Sequence, residues 1–193
     1  MSAKTATTDH AAPIATPVDV LDFWFDSLQP EDWFKKSDET DAIIREKFAA
    51  THLSLARRIR DGWRVDGDAR LALIIVLDQF PRNIYRDTPL AFATDGLALR
   101  EARRAVDAGL DKKVASDRRV FFYLPFEHSE NLADQNRAVS LITALGDETY
   151  TKYAEAHRDV IVEFGRFPHR NEILGRTSTP AEQRYLEKPG SGF

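Results

Sequence analysis

Ala69-Arg70-Leu71-Ala72-Leu73-Ile74-Ile75-Val76-Leu77-Asp78-Gln79-Phe80 is apolar almost all round and too long for a buried strand. It reads as the central buried helix of an all-helical domain. Asp66-Gly67-Asp68 breaks the chain before it, and Pro81 is expected to stop it. The uninterrupted apolar run, Leu71 to Leu77, falls far short of the roughly 20 residues of a membrane helix. The run is therefore core, and no membrane partner is expected.

Helical periodicity continues on both sides. Pro17 opens a segment, Val18 to Leu28, with Val20, Leu21, Trp24 and Phe25 on one stripe. Ser37 or Asp38 caps the next helix, which carries Ile44, Phe48, Leu55 and Ile59 and is expected to run to about Trp63. Thr88-Pro89 starts a helix that Gly109 ends, and Ser116 starts another that reaches Pro125. Asn131 to Leu145 and Thr149 to Phe164 close on Gly146 and Gly165, and Thr179-Pro180-Ala181-Glu182 is a capping box for a last short helix. No segment alternates with period two. The expected fold is all-α, a bundle of about eight antiparallel-paired helices spanning residues 17–188 as one domain. Residues 1–16, rich in Ala, Thr and Ser, read as a disordered leader without a signal sequence, and 189–193 as a frayed tail.

The chain of 193 residues is long enough for a sizeable core. It has no cysteine, which excludes disulfides, thiolate metal sites and cysteine nucleophiles and suits a reducing compartment such as the cytoplasm. A net charge of -4 gives no general attraction to nucleic acid. Phosphate loops, dinucleotide fingerprints, the serine elbow and the two-histidine zinc helix are all absent. No cofactor and no metal site are expected.

One element is written twice, as Phe80-Pro81-Arg82-Asn83 and as Phe167-Pro168-His169-Arg170-Asn171. Each copy is expected to follow the end of an apolar helix, where unpaired carbonyls favour a cation. Two readings follow. Arg82 and Arg166 can cap their own helices; alternatively Arg82, Asn83, Arg166, His169, Arg170 and Asn171 converge to bind a small anionic molecule through guanidinium forks and amides. Between the copies, Glu127, His128 and Glu130 place two carboxylates and an imidazole in one turn, as candidates for acid-base catalysis. Their structural alternative is a buried network pairing Glu127 or Glu130 with Arg82 or Arg170. His157, on the stripe of Tyr150 and Ile161, reads as a hydrogen-bonded core histidine, and so does His52.

Six stretches resemble a largely bacterial family, the domain of unknown function 924. They are Val20 to Phe25, Trp33-Phe34, Asp78 to Asn83, Ala91 to Asp95, Pro125 to Glu130 and Gly165 to Asn171. The resemblance covers almost the whole chain after the leader and implies a fold of the tetratricopeptide-like superfamily; it implies no activity and no catalytic residues. Tetratricopeptide-like folds often hold a peptide or protein along a concave surface, which is the alternative function, although no repeat of about 34 residues is visible. The aromatic N-terminal segment can also cover a second copy in a homodimer.

Overall fold

The structure is a computed structural model and describes residues 13–192. Most of the expected leader, residues 1–12, lies outside the described residues. Among the described residues there are eight α-helices and no strand: α1 Pro17–Leu21, α2 Asp38–Arg57, α3 Gly67–Ile84, α4 Asp95–Asp107, α5 Val120–Glu127, α6 Leu132–Thr143, α7 Glu148–Phe164 and α8 Pro180–Leu186.

Helix α3 is the axis. Residues 71 to 81 are all buried, and α1, α2, α4 and α5 pack around them. Its start lies so close to the segment after α4 that a Cβ on Gly67 would stand 2.9 Å from the Leu110 carbonyl oxygen. Only glycine permits that approach. Helix α5 then packs on α6, and α6 on α7. Gly165, at φ +69°, stops α7 in the left-handed conformation and turns the chain back along the bundle.

Pro81 does not stop α3, as the sequence led us to expect. The helix continues to Ile84 with Pro81 inside its last turns. Proline removes the N–H that the Leu77 carbonyl would accept. The Thr94 hydroxyl replaces it, donating to that carbonyl at 2.6 Å, and the Arg82 guanidinium donates to the carbonyl of Asp78. Pro125 likewise sits inside α5, which runs on to Glu127.

Other expected boundaries also shift. Helix α2 ends at Arg57, short of Trp63, which belongs to a separate 3-10 turn. The Val18 to Leu28 segment is α1 followed by a π-helical stretch, Asp22–Ser27. The wider turn places Phe23 and Trp24 inside while leaving Phe25 half-buried. Thr88-Pro89 opens only a 3-10 turn, Pro89–Phe92, and α4 begins at Asp95. That turn matters below, because it carries Phe92 to the end of α3.

Candidate functional site

The polar end of α3 meets three loops. One side chain there, Asp78, is fully buried at the end of the apolar run Leu71 to Leu77. Its Oδ1 lies 2.9 Å from His128 Nδ1, at the end of α5, and its Oδ2 accepts from the Gln79 amide. An ionised carboxylate only accepts, so Nδ1 carries the imidazole proton and Nε2 keeps its lone pair. Burial by itself would raise the Asp78 carboxyl. Its contacts with His128, Arg82 and Gln79 outweigh burial and hold it well below the usual carboxylate range. Burial, and then repulsion from Arg82, lowers the His128 imidazole against the attraction of Asp78, so His128 is neutral at pH 7.

Arg82 grips Asp95 with two parallel bonds, at 3.0 and 3.1 Å. Asp95 also meets Arg170, but only through a loose contact of 3.4 Å between Oδ2 and Nη1. The Arg170 guanidinium lies between two aromatic rings, 4.6 Å from the Phe92 centroid and 4.6 Å from that of Phe167. Its side chain is 8% exposed, and its buried Nε has no hydrogen-bond partner. Burial, and then repulsion from Arg82, lowers its pKa to about 10, still protonated at neutral pH.

His128, Arg170, Asp95 and Glu130 border a cleft of about 380 Å³ whose other walls include Phe92, Leu99, Pro125 and Leu174. Glu130 is already engaged: its oxygens accept from Arg176 at 2.7 and 2.9 Å and from the Phe167 N–H at 2.8 Å. Ser129 is engaged as well, its hydroxyl donating to Asp134 and accepting from the Asn131 N–H. A larger groove, about 670 Å³, lies beside Leu53, Arg57 and Arg60 and holds none of these groups. The clustered polar side chains border the smaller cleft.

Of the residues expected to form one site, the cleft gathers His128, Glu130 and Arg170, with Arg82 immediately behind Asp95. The doubled element does not make two equivalent turns. Its first copy is helical and its second includes a 3-10 turn, Pro168–Arg170. Asn83 instead donates to Asp41 at 2.9 Å and so ties α3 to α2. Arg166 clasps Glu182 at 2.6 and 2.8 Å and donates to the Thr177 carbonyl, not to its own helix. Asn171 accepts from Arg176 and donates to Ser178. His169 packs on Phe167 behind the cleft, with burial and then Arg170 lowering its pKa to about 4.

Glu127 pairs with neither Arg82 nor Arg170. It lies 3.3 Å from His157, whose Nδ1 is also 2.8 Å from the Tyr153 carbonyl. Burial, then Asp78, raises Glu127 to about 8, whereas burial lowers His157 to about 3. At neutral pH both are therefore uncharged. Among the described residues no group of three or more histidine and carboxylate side chains is arranged to hold a metal ion. No helix there is long and apolar enough to cross a membrane.

Sequence reasoning missed Asp78, Asp95 and Phe92 as parts of the site. Asp78 carried a signal, being the one charged residue between Leu71 and Phe80. An unpaired charge there would be costly enough to demand a partner.

Residues 20–190 match a family model described as a bacterial protein of unknown function (DUF924). A solved structure of a protein of unknown function from Agrobacterium tumefaciens is 46% identical, with a TM-score of 0.85, over 89% of this chain and 96% of that one. A comparison with curated proteins finds no match.

Proposed function

The chain belongs to the DUF924 family of bacterial proteins of unknown function, and from that premise we propose that it binds a small organic carboxylate in the cleft beside Arg170. The observation that carries this reading is the state of Arg170: its guanidinium borders the cleft, lies against Phe92 and Phe167, and has one loose carboxylate contact of 3.4 Å. A planar carboxylate fits a guanidinium fork with two bonds. The walls of Phe92, Leu99, Pro125 and Leu174 favour a ligand with an apolar body behind the charged group.

Sequential packing of α2 on α3 and of α6 on α7 supports a tetratricopeptide-like arrangement and one domain over 17–188. Peptide binding along an extended groove has weaker support, because the distinctive polar groups gather at one compact place.

Thermal shift tests the proposal. Phenylacetate at millimolar concentration is expected to raise Tm, acetate to raise it less, and Arg170→Lys to weaken phenylacetate binding at least about tenfold by losing the fork. A wild-type protein indifferent to all these anions, or a shift unchanged in Arg170→Lys, overturns it.

A further inference from the structure

We infer that His128 is a catalytic base, positioned by Asp78, that removes a carbon-bound proton from a carboxylate substrate held by Arg170. This inference rests on the anion-binding reading above and adds a reaction to it. The bond between Asp78 and Nδ1 turns the opposite edge of the ring, with Nε2, toward the cleft that His128 lines. Asp78 is itself braced by Gln79 and Arg82, so the ring has one tautomer and little freedom.

The other polar groups on the cleft are committed. Ser129 is bound to Asp134, Glu130 to Arg176 and the Phe167 N–H, and Asp95 to Arg82 and Arg170. No activated nucleophile is left, which argues against a covalent intermediate. Hydrolysis would need an attacking water fixed by His128 together with Asp95 or Glu130, carboxylates already bonded to arginines. Proton transfer to and from carbon needs neither.

The substrates implied are carboxylates with an apolar body and an acidic C–H close to the carboxylate, 2-oxo acids above all. In such a substrate the C3–H bond breaks, the proton passes to Nε2, and the electron pair moves to the C2 oxygen as an enolate. Asp78 balances the imidazolium that forms, and Arg170 neutralises the adjacent carboxylate. Returning the proton to carbon completes an exchange, and returning it to oxygen releases the enol. Neither route needs an oxidant or a second reactant.

Phenylpyruvate in D2O, followed by proton NMR, provides the test. The wild-type chain is expected to exchange the C3 protons faster than buffer alone. His128→Gln is expected to lose roughly 10²–10⁴-fold of that rate while still binding phenylacetate by thermal shift. Asp78→Asn is expected to lower the rate and, as a merely structural residue would not, to change the His128 tautomer seen by ¹⁵N NMR. Wild-type protein that binds phenylacetate but exchanges no faster than buffer overturns the catalytic inference and leaves the binding site standing. So does exchange that survives His128→Gln. If phenylacetate does not bind at all, the site itself falls, and the base with it.

Discussion

Asp78 and His128 stand fifty positions apart in the chain, yet Oδ1 of one lies 2.9 Å from Nδ1 of the other. A fully buried carboxylate sits at the end of the apolar run of α3 because α5 delivers an imidazole donor to it and Arg82 a charge. The relationship joins the core to the cleft, since the same ring borders both.

In the wild-type protein, ¹⁵N NMR is expected to show His128 neutral at pH 7 with its proton on Nδ1. Asp78→Asn is expected to lose that preference, because an amide can donate as well as accept. It should also cost about 1–3 kcal/mol in denaturant unfolding by removing charge-assisted bonds. An unchanged tautomer in the variant would refute the assignment.

The Thr94 hydroxyl serves two groups, donating to the Leu77 carbonyl at 2.6 Å and lying 3.1 Å from His52 Nε2. Thr94→Val is expected to destabilise by about 1–3 kcal/mol. Pro81→Ala restores an N–H for the Leu77 carbonyl, so in that background the loss from Thr94→Val should shrink by about 1 kcal/mol. Urea unfolding of the four proteins measures the coupling, and strict additivity would mean that the hydroxyl does not stand in for the missing N–H.

Stability should peak near pH 6.5. Burial lowers His52 to about 4, His157 to about 3 and His169 to about 4. Below pH 6.5 the unfolded chain takes up protons at these positions before the folded one does, so stability falls on acidification toward those values. Glu127 works in the opposite direction: with a folded pKa of about 8, it loses its proton first in the unfolded chain as pH rises from 4.5. Between pH 4.5 and 6.5 the three histidines outweigh it. From pH 6.5 to 8 Glu127 acts alone, costing roughly 1 kcal/mol per pH unit. Glu127→Gln should flatten that upper limb in unfolding experiments at pH 6.5 and 8, and an equal slope in both proteins would exclude the buried neutral carboxyl.

Arg166 and Arg170 are separated by only four positions but have different work. Arg166 holds Glu182, whose carboxylate accepts from the Thr179 N–H and whose own N–H donates to the Thr179 hydroxyl, capping α8. Arg166→Ala is therefore expected to lower the hydrogen-exchange protection of α8 while leaving the phenylacetate thermal shift intact. Loss of that shift in Arg166→Ala would move Arg166 into the binding site.

Local signals marked most of the helices well. Ser37, Thr179 and Gly165 act in the structure as their chemistry requires, because a cap or a left-handed turn is settled within a few residues. Pro81 and Pro125 misled for the complementary reason. Proline is a local obstacle, and Thr94, seventeen residues from the Leu77 carbonyl that it bonds, removed the cost at Pro81.

The candidate site divides in the same way. His128, Glu130 and Arg170 were legible as polar residues crowded into turns, and the structure brings them to one cleft. Asn83, Arg166 and Asn171 looked equivalent to them but are consumed by Asp41, Glu182, Arg176 and Ser178.

By itself the sequence determined an all-helical chain built around the segment 69–80, since period, caps and apolar content are properties of neighbouring residues. Tertiary structure alone decided which charges are satisfied and which remain available. How firmly a guanidinium is spent depends on the few ångströms to a partner from another helix, and so Arg82 closes on Asp95 with two bonds while Arg170, at the edge of the cleft, has one loose contact with it.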